Sequence, residues 1–210
     1  VTFSAISGTF SDDLVAPTIS LRETVDIDGD GSIDGLHITF SENVDDSTVT
    51  ATDFGIAGAS NESFSSTTQS DTADDNDIYI TFDDGDLASD AVPTLTYTKG
   101  TLTDLPGNFL ASNGPVASTD KAGPAIISAV ASDETGIYVG IDGDDTVTIT
   151  FSENTNQLTP INAGNINTLF ALDNSHSWLD GASGIGSATW ADAKTLTIAL
   201  SVYNEPRNSD

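Results

Sequence analysis

The sequence predicts an all-β chain of two consecutive sandwich domains, and three observations carry that prediction. Short runs alternate apolar and polar residues, as in Leu36-His37-Ile38-Thr39-Phe40 and Thr146-Val147-Thr148-Ile149-Thr150-Phe151, so one face of each can be buried in a sheet. Turn-forming clusters of Gly, Pro, Asn and Asp separate the runs. The strand end Thr39-Phe40-Ser41-Glu42-Asn43 returns as Thr150-Phe151-Ser152-Glu153-Asn154, the self-similarity of a repeated unit.

The elements follow in chain order. Residues 1–10 alternate as a strand would. They read as the last strand of a preceding domain or of a neighbouring subunit's domain, with residues 1–16 forming that strand and a linker. Pro17-Thr18-Ile19-Ser20-Leu21 opens the first repeat, and Leu36 to Phe40 supplies its next strand. Residues 60–77 are polar and rich in Ser, Thr and Asp, which fits a mobile loop or a loop carrying a weak edge strand. Ile78-Tyr79-Ile80-Thr81-Phe82 and Leu95-Thr96-Tyr97-Thr98 alternate again, and their Thr and Ile content suits a pleated, half-buried surface. Turns are expected at Asp83-Asp84-Gly85, Pro106-Gly107-Asn108 and Ser112-Asn113-Gly114-Pro115.

The segment Ser118-Thr119-Asp120-Lys121-Ala122-Gly123-Pro124 joins the repeats and shares its Ser, Asp and Pro spacing with Ser11-Asp12-Asp13-Leu14-Val15-Ala16-Pro17. Pro17 and Pro124 stand 107 positions apart, close to the roughly 100 residues of one immunoglobulin-like sandwich. The domains are therefore placed at residues 17–122 and 123–210. The second begins with Pro124-Ala125-Ile126-Ile127-Ser128, contains Thr146 to Phe151, and has Leu196-Thr197-Ile198-Ala199-Leu200 as its last clear strand. It has no counterpart of residues 95–113, so its final strands are expected to be missing.

That asymmetry allows two readings. The chain is a piece of a longer array, or its first strand completes another subunit's unfinished domain by strand addition. In the second reading Val1, Phe3, Ala5, Ile6 and Phe10 are the donor residues. Head and tail together are too short to replace two strands, so an exchange would restore one.

Composition limits the partners. With 33 acidic against 5 basic residues the formal charge is −28, which repels nucleic acid and anionic membrane surfaces. There is no Cys, hence no disulfide, thiolate metal site or thiol nucleophile. No apolar run approaches the roughly 20 residues that span a bilayer. The expected partners are neighbouring repeats or identical subunits, or a cell-surface or polysaccharide ligand.

The strongest site signal is Asp26-Ile27-Asp28-Gly29-Asp30-Gly31-Ser32-Ile33-Asp34-Gly35. Asp26, Asp28, Asp30 and Asp34 occupy positions 1, 3, 5 and 9 of a calcium-loop pattern, Gly31 sits at the sharp turn, and Ser32 would offer its carbonyl. Alternate side chains of a curling loop converge, and hard oxygen ligands suit Ca²⁺. Carboxylates at about 5 Å repel by roughly 3 kcal/mol per pair at an effective dielectric near 20, so convergence favours a cation. Position 12 is His37, not the Glu of a helix-flanked calcium loop. Glu42 or Glu23 could complete the shell. A second acidic turn at Asp142, Asp144 and Asp145 lacks the alternating spacing. A third candidate is the domain junction, where Glu42, Asp104, Asn108 and Asp120 could hold a cation, although Asp104 to Asn108 reads first of all as a turn.

Catalysis finds little support. His37 and His176 lie in different repeats without a partner four residues on, and no nucleophile elbow or phosphate loop occurs. Trp178 and Trp190 fit core packing better than a sugar-binding platform, which keeps a carbohydrate-binding module as the alternative.

The Thr-Phe-Ser-Glu-Asn strand ends, the Asp-x-x-Gly-Asn-x-Leu-Ala turn from Asp104 to Ala111, and the Asp-x-x-x-Pro junctions resemble bacterial immunoglobulin-like repeats. Such repeats occur in tandem in secreted adhesins, surface-layer proteins and extracellular filaments. The resemblance implies a secreted or cell-surface spacer or assembly module without catalytic activity, often stiffened by Ca²⁺ that orders loops and fixes the angle between domains. The acidity then divides into a cation site and a solvated coat that keeps strand edges from self-association.

Overall fold

The computed structural model describes residues 13–133, 145–179 and 183–202. The donor residues Val1, Phe3, Ala5, Ile6 and Phe10 lie outside them, as do Asp142 and Asp144. Apart from the four-residue loop tip Asp28–Gly31, a first unit runs to Ala122 and a second starts at Gly123. The described residues form antiparallel strands with a single four-residue α-helix.

The first unit contains β1 (Ile19–Val25), β2 (Ser32–Ile33), β3 (Gly35–Phe40), β4 (Phe54–Ile56), β5 (Ser63–Phe64), β6 (Asp77–Thr81), β7 (Leu87–Ala88), β8 (Thr94–Tyr97) and β9 (Asn113–Ala117). One sheet has the order β1-β3-β6-β5, another β4-β8-β9, and β2 pairs with β7. Alternation produces the core as expected. Leu36, Ile38 and Phe40 of β3, with Ile78 and Ile80 of β6, join Phe54, Leu95 and Tyr97 of the other sheet in one buried cluster. Polar residues between them face outward, which makes this unit sandwich-like.

Of the two readings of residues 60–77, the loop with an edge strand holds: they carry β5, paired with β6. One segment differs from the sequence expectation. The turn expected at Ser112 to Pro115 is instead the start of β9. Gly114 has φ +107°, and a Cβ there would collide with the Leu95 carbonyl, so a Gly-Pro pair that signals a turn here serves a strand irregularity. Pro115, lacking an N–H, is tolerated because β9 is an edge strand.

The second unit contains β10 (Ile126–Ser132), β11 (Thr146–Phe151), α1 (Ile166–Leu169), β12 (Ser183–Trp190) and β13 (Thr195–Val202). Its sheet order is β10-β11-β13-β12. This repeats the β1-β3-β6-β5 plan, with the last two strands again out of sequence order. The correspondence extends to a register shift. Ile19 and Leu21 pair with Phe40 and Thr39, and Ile126 and Ser128 pair with Phe151 and Thr150. Among the described residues this unit has no three-stranded counterpart of β4-β8-β9. Its core comprises Ile149, Phe151, Ile161, Ile166, Trp178, Leu196, Ile198 and Leu200, while Ile126, Ile127 and Val130 of β10 are exposed.

Candidate metal centres

Asp26, Asp28 and Asp30 follow β1, and each offers a carboxylate oxygen within 4.8 Å of the others. The loop that holds them is fixed locally. Gly29 and Gly31 take φ of +80° and +99°, a backbone region costly for any residue with a Cβ. The Asp34 N–H donates to the Val25 carbonyl at 3.1 Å. The Ile27 N–H donates to Asp34 Oδ1 at 2.8 Å, and the Asp30 N–H to Asp28 Oδ1 at 3.2 Å. Ile33 is fully buried and anchors the far side of the loop. Three of the four expected carboxylates are thus gathered, whereas Asp34 binds the loop backbone and Ser32 lies in β2 opposite Ala88. Such an all-oxygen group could hold a metal ion.

A second group joins Asp13, Glu42 and Asp104, again within 4.8 Å. Asp104 is fully buried. Its Oδ1 accepts the N–H groups of Gly107 at 2.7 Å and Asn108 at 2.6 Å, and its Oδ2 accepts Asn108 Nδ2 at 2.8 Å. The same Nδ2 donates to the Asp13 carbonyl at 3.0 Å. Burial, then Asp13 and Asp104, pushes the Glu42 carboxyl above its ordinary range. Of the expected junction set, Glu42, Asp104 and Asn108 come together. Asp120 does not join them, since its Oδ1 accepts the Thr24 hydroxyl at 3.2 Å. Asp13 was not expected there, although it precedes Pro17 by the same four residues that separate Asp120 from Pro124.

A third group, Asp71, Asp75 and Asp77, lies where the sequence suggested only a polar loop. Asp145 is buried at the start of β11, where its carbonyl accepts the Leu200 N–H at 2.8 Å.

The tryptophans are structural. Trp178 is buried, and its Nε1–H donates to the Phe170 carbonyl at 2.6 Å. Trp190 is half-buried, packs 5.6 Å from the Phe151 ring and donates Nε1–H to the Leu158 carbonyl at 3.1 Å. They do not form an exposed pair.

No protein-family model matches the chain, and no curated protein or solved structure matches it either.

Proposed function

We propose that the chain is a non-catalytic structural or adhesive module of a cell surface or extracellular filament, built of immunoglobulin-like units and stiffened by Ca²⁺. One observation carries this reading: the same four-strand order and register shift recur in two successive units. The first unit's sheet orders also agree with the A-B-E-D and C-F-G sheets of a constant-type immunoglobulin sandwich. A site-bearing enzyme does not need two copies of one strand plan, but a spacer does.

Calcium enters through Asp26, Asp28 and Asp30, whose mutual repulsion a divalent ion would cancel while ordering the loop. A ligand that binds only the folded state at about 100 times its Kd adds roughly 2.7 kcal/mol of stability. Thermal unfolding in Ca²⁺ and in EGTA tests this. The wild type should melt higher in Ca²⁺, and Asp28→Ala should lose part of that gain. Identical melting in both media for both proteins would overturn the calcium reading.

Assembly through the first strand is the filament form of the same proposal. It is supported by the exposed Ile126, Ile127 and Val130 on β10, an edge of a sheet, since an open apolar edge invites another strand. Deleting residues 1–10 should abolish polymers while leaving the first unit folded, and polymers that persist would exclude the donor role. The carbohydrate-binding alternative receives no comparable support from Trp178 and Trp190.

A further inference from the structure

The recurrence of one strand plan makes the first unit a template for the second. Arg22, Glu23 and Thr24 of β1 pair with Ile38, His37 and Leu36. Counted back from Phe151 as these are from Phe40, the matching pairs are Ala129 with Ile149, Val130 with Thr148 and Ala131 with Val147. Arg22, Glu23 and Thr24 thus correspond to Ala129, Val130 and Ala131 of β10.

The two edges differ in what covers them. In the first unit Glu23 forms a parallel bridge with Thr119. The Thr119 N–H donates to the Arg22 carbonyl at 2.7 Å, and the Thr24 N–H donates to the Thr119 carbonyl at 3.0 Å. The chain then caps Thr24, whose Oγ1 accepts the Lys121 and Ala122 N–H groups at 2.8 and 3.2 Å. Arg22 and Thr24 are buried. Among the described residues β10 pairs only with β11, and Ala129, Val130 and Ala131 are all exposed.

β10 also lacks the usual protection of an edge. Charged side chains or Pro commonly blunt such strands. Ile126-Ile127-Ser128-Ala129-Val130-Ala131-Ser132 carries neither, in a chain with 33 acidic residues. The shared register directs the Ala129 carbonyl and the Ala131 N–H away from β11, as it directs those of Arg22 and Thr24 away from β3. They correspond to the two groups that Thr119 engages in the first unit.

The chain contains a second segment of the Thr119 type. Ser11-Asp12-Asp13 precedes Pro17 at the spacing by which Ser118-Thr119-Asp120 precedes Pro124, so Asp12 corresponds to Thr119. We propose that β10 receives residues 8–12 of a second copy of this chain as a parallel strand, with Asp12 opposite Val130 and bonded to the Ala129 carbonyl and the Ala131 N–H. The inference rests on the strand-donation reading and adds its direction, register and receiving groups. The edge of β1 is already bridged by its own chain, so the copies join head to second unit. That contact is heterologous rather than two-fold.

Disulfide trapping reads the register in the full chain, which has no Cys of its own. In a parallel strand Phe10 lies opposite Ser128, and in an antiparallel strand with the same Asp12–Val130 pairing it lies opposite Ser132. Neighbouring strands are about 4.8 Å apart, within the roughly 4.4–6.8 Å that a disulfide spans between Cα atoms. Ser128, Val130 and Ser132 pair with Thr150, Thr148 and Thr146, on the face away from the core. Under mild oxidation, a mixture of Phe10→Cys and Ser128→Cys chains should cross-link, and one of Phe10→Cys and Ser132→Cys should not. Ala131→Pro removes the receiving N–H outside the β11 ladder. It should abolish polymers while tryptophan fluorescence shows the second unit folded.

Cross-links to Ser132→Cys instead would overturn the parallel register and leave strand donation standing. Cross-links of Val130→Cys chains to one another, with none to Phe10→Cys, would mean that two β10 edges meet and would overturn the proposed occupant. No cross-link in either mixture, with polymers still lost on deleting residues 1–10, would overturn β10 as the receiving edge alone. Polymers that survive that deletion, or no polymers at all, would overturn the strand-donation reading and this inference together.

Discussion

Ser41 and Thr18 exchange two hydrogen bonds: the Thr18 N–H donates to Ser41 Oγ at 3.0 Å, and the Ser41 N–H returns to the Thr18 carbonyl at 2.9 Å. Ser152 and Ala125 repeat both bonds at 3.0 and 2.9 Å. The serine of the recurring Thr-Phe-Ser-Glu-Asn segment is therefore a clasp between the strand end and the residue after the proline. It holds the two strand ends together beside the register shift, where the ladder is interrupted.

Ser41→Ala and Ser152→Ala should each weaken their own unit. Loss of one acceptor costs about 0.5–1.5 kcal/mol, with Ser41 toward the low end because water can reach Thr18. Urea unfolding should show the first variant destabilising the first unit and the second the other. An unchanged midpoint for both would remove the clasp from the account.

Gly114 and Gly123 make a matched pair of tests. Gly114 has φ +107° and no room for a Cβ beside Leu95, whereas nothing lies within 4 Å of a Cβ at Gly123. Gly114→Ala should cost more than about 1 kcal/mol, and Gly123→Ala should be near neutral. Equal effects would mean that β9 does not pair with β8 as described.

Trp178→Ala should cost about 3–5 kcal/mol in the second unit, the range for emptying a buried aromatic site. Fluorescence-monitored denaturation checks it through Trp190. A variant that kept full stability but lost retention on a polysaccharide column would revive the carbohydrate-binding alternative.

Legibility in the sequence followed alternation. β3, β6, β8, β11 and β13 were readable because Ile, Leu, Val and Thr take turns facing in and out. β12 was not, since Ser183-Gly184-Ile185-Gly186-Ser187 has few large side chains to mark a face. β2, β5 and β7 are two residues long, too short for any period. Asp26, Asp28 and Asp30 were legible as a local spacing. Asp13 needed the repeat register, with Asp13 matched to Asp120. The grouping of Asp71, Asp75 and Asp77 was not legible, because the sequence there reads only as a polar loop without a ligand spacing.

The most direct test of the account is isothermal titration of the calcium-free protein with Ca²⁺, alongside Asp28→Ala. The account predicts saturable binding in the wild type and one ion fewer per chain in the variant. No binding heat in the wild type, or the same stoichiometry and affinity in both, would contradict a calcium-stiffened module.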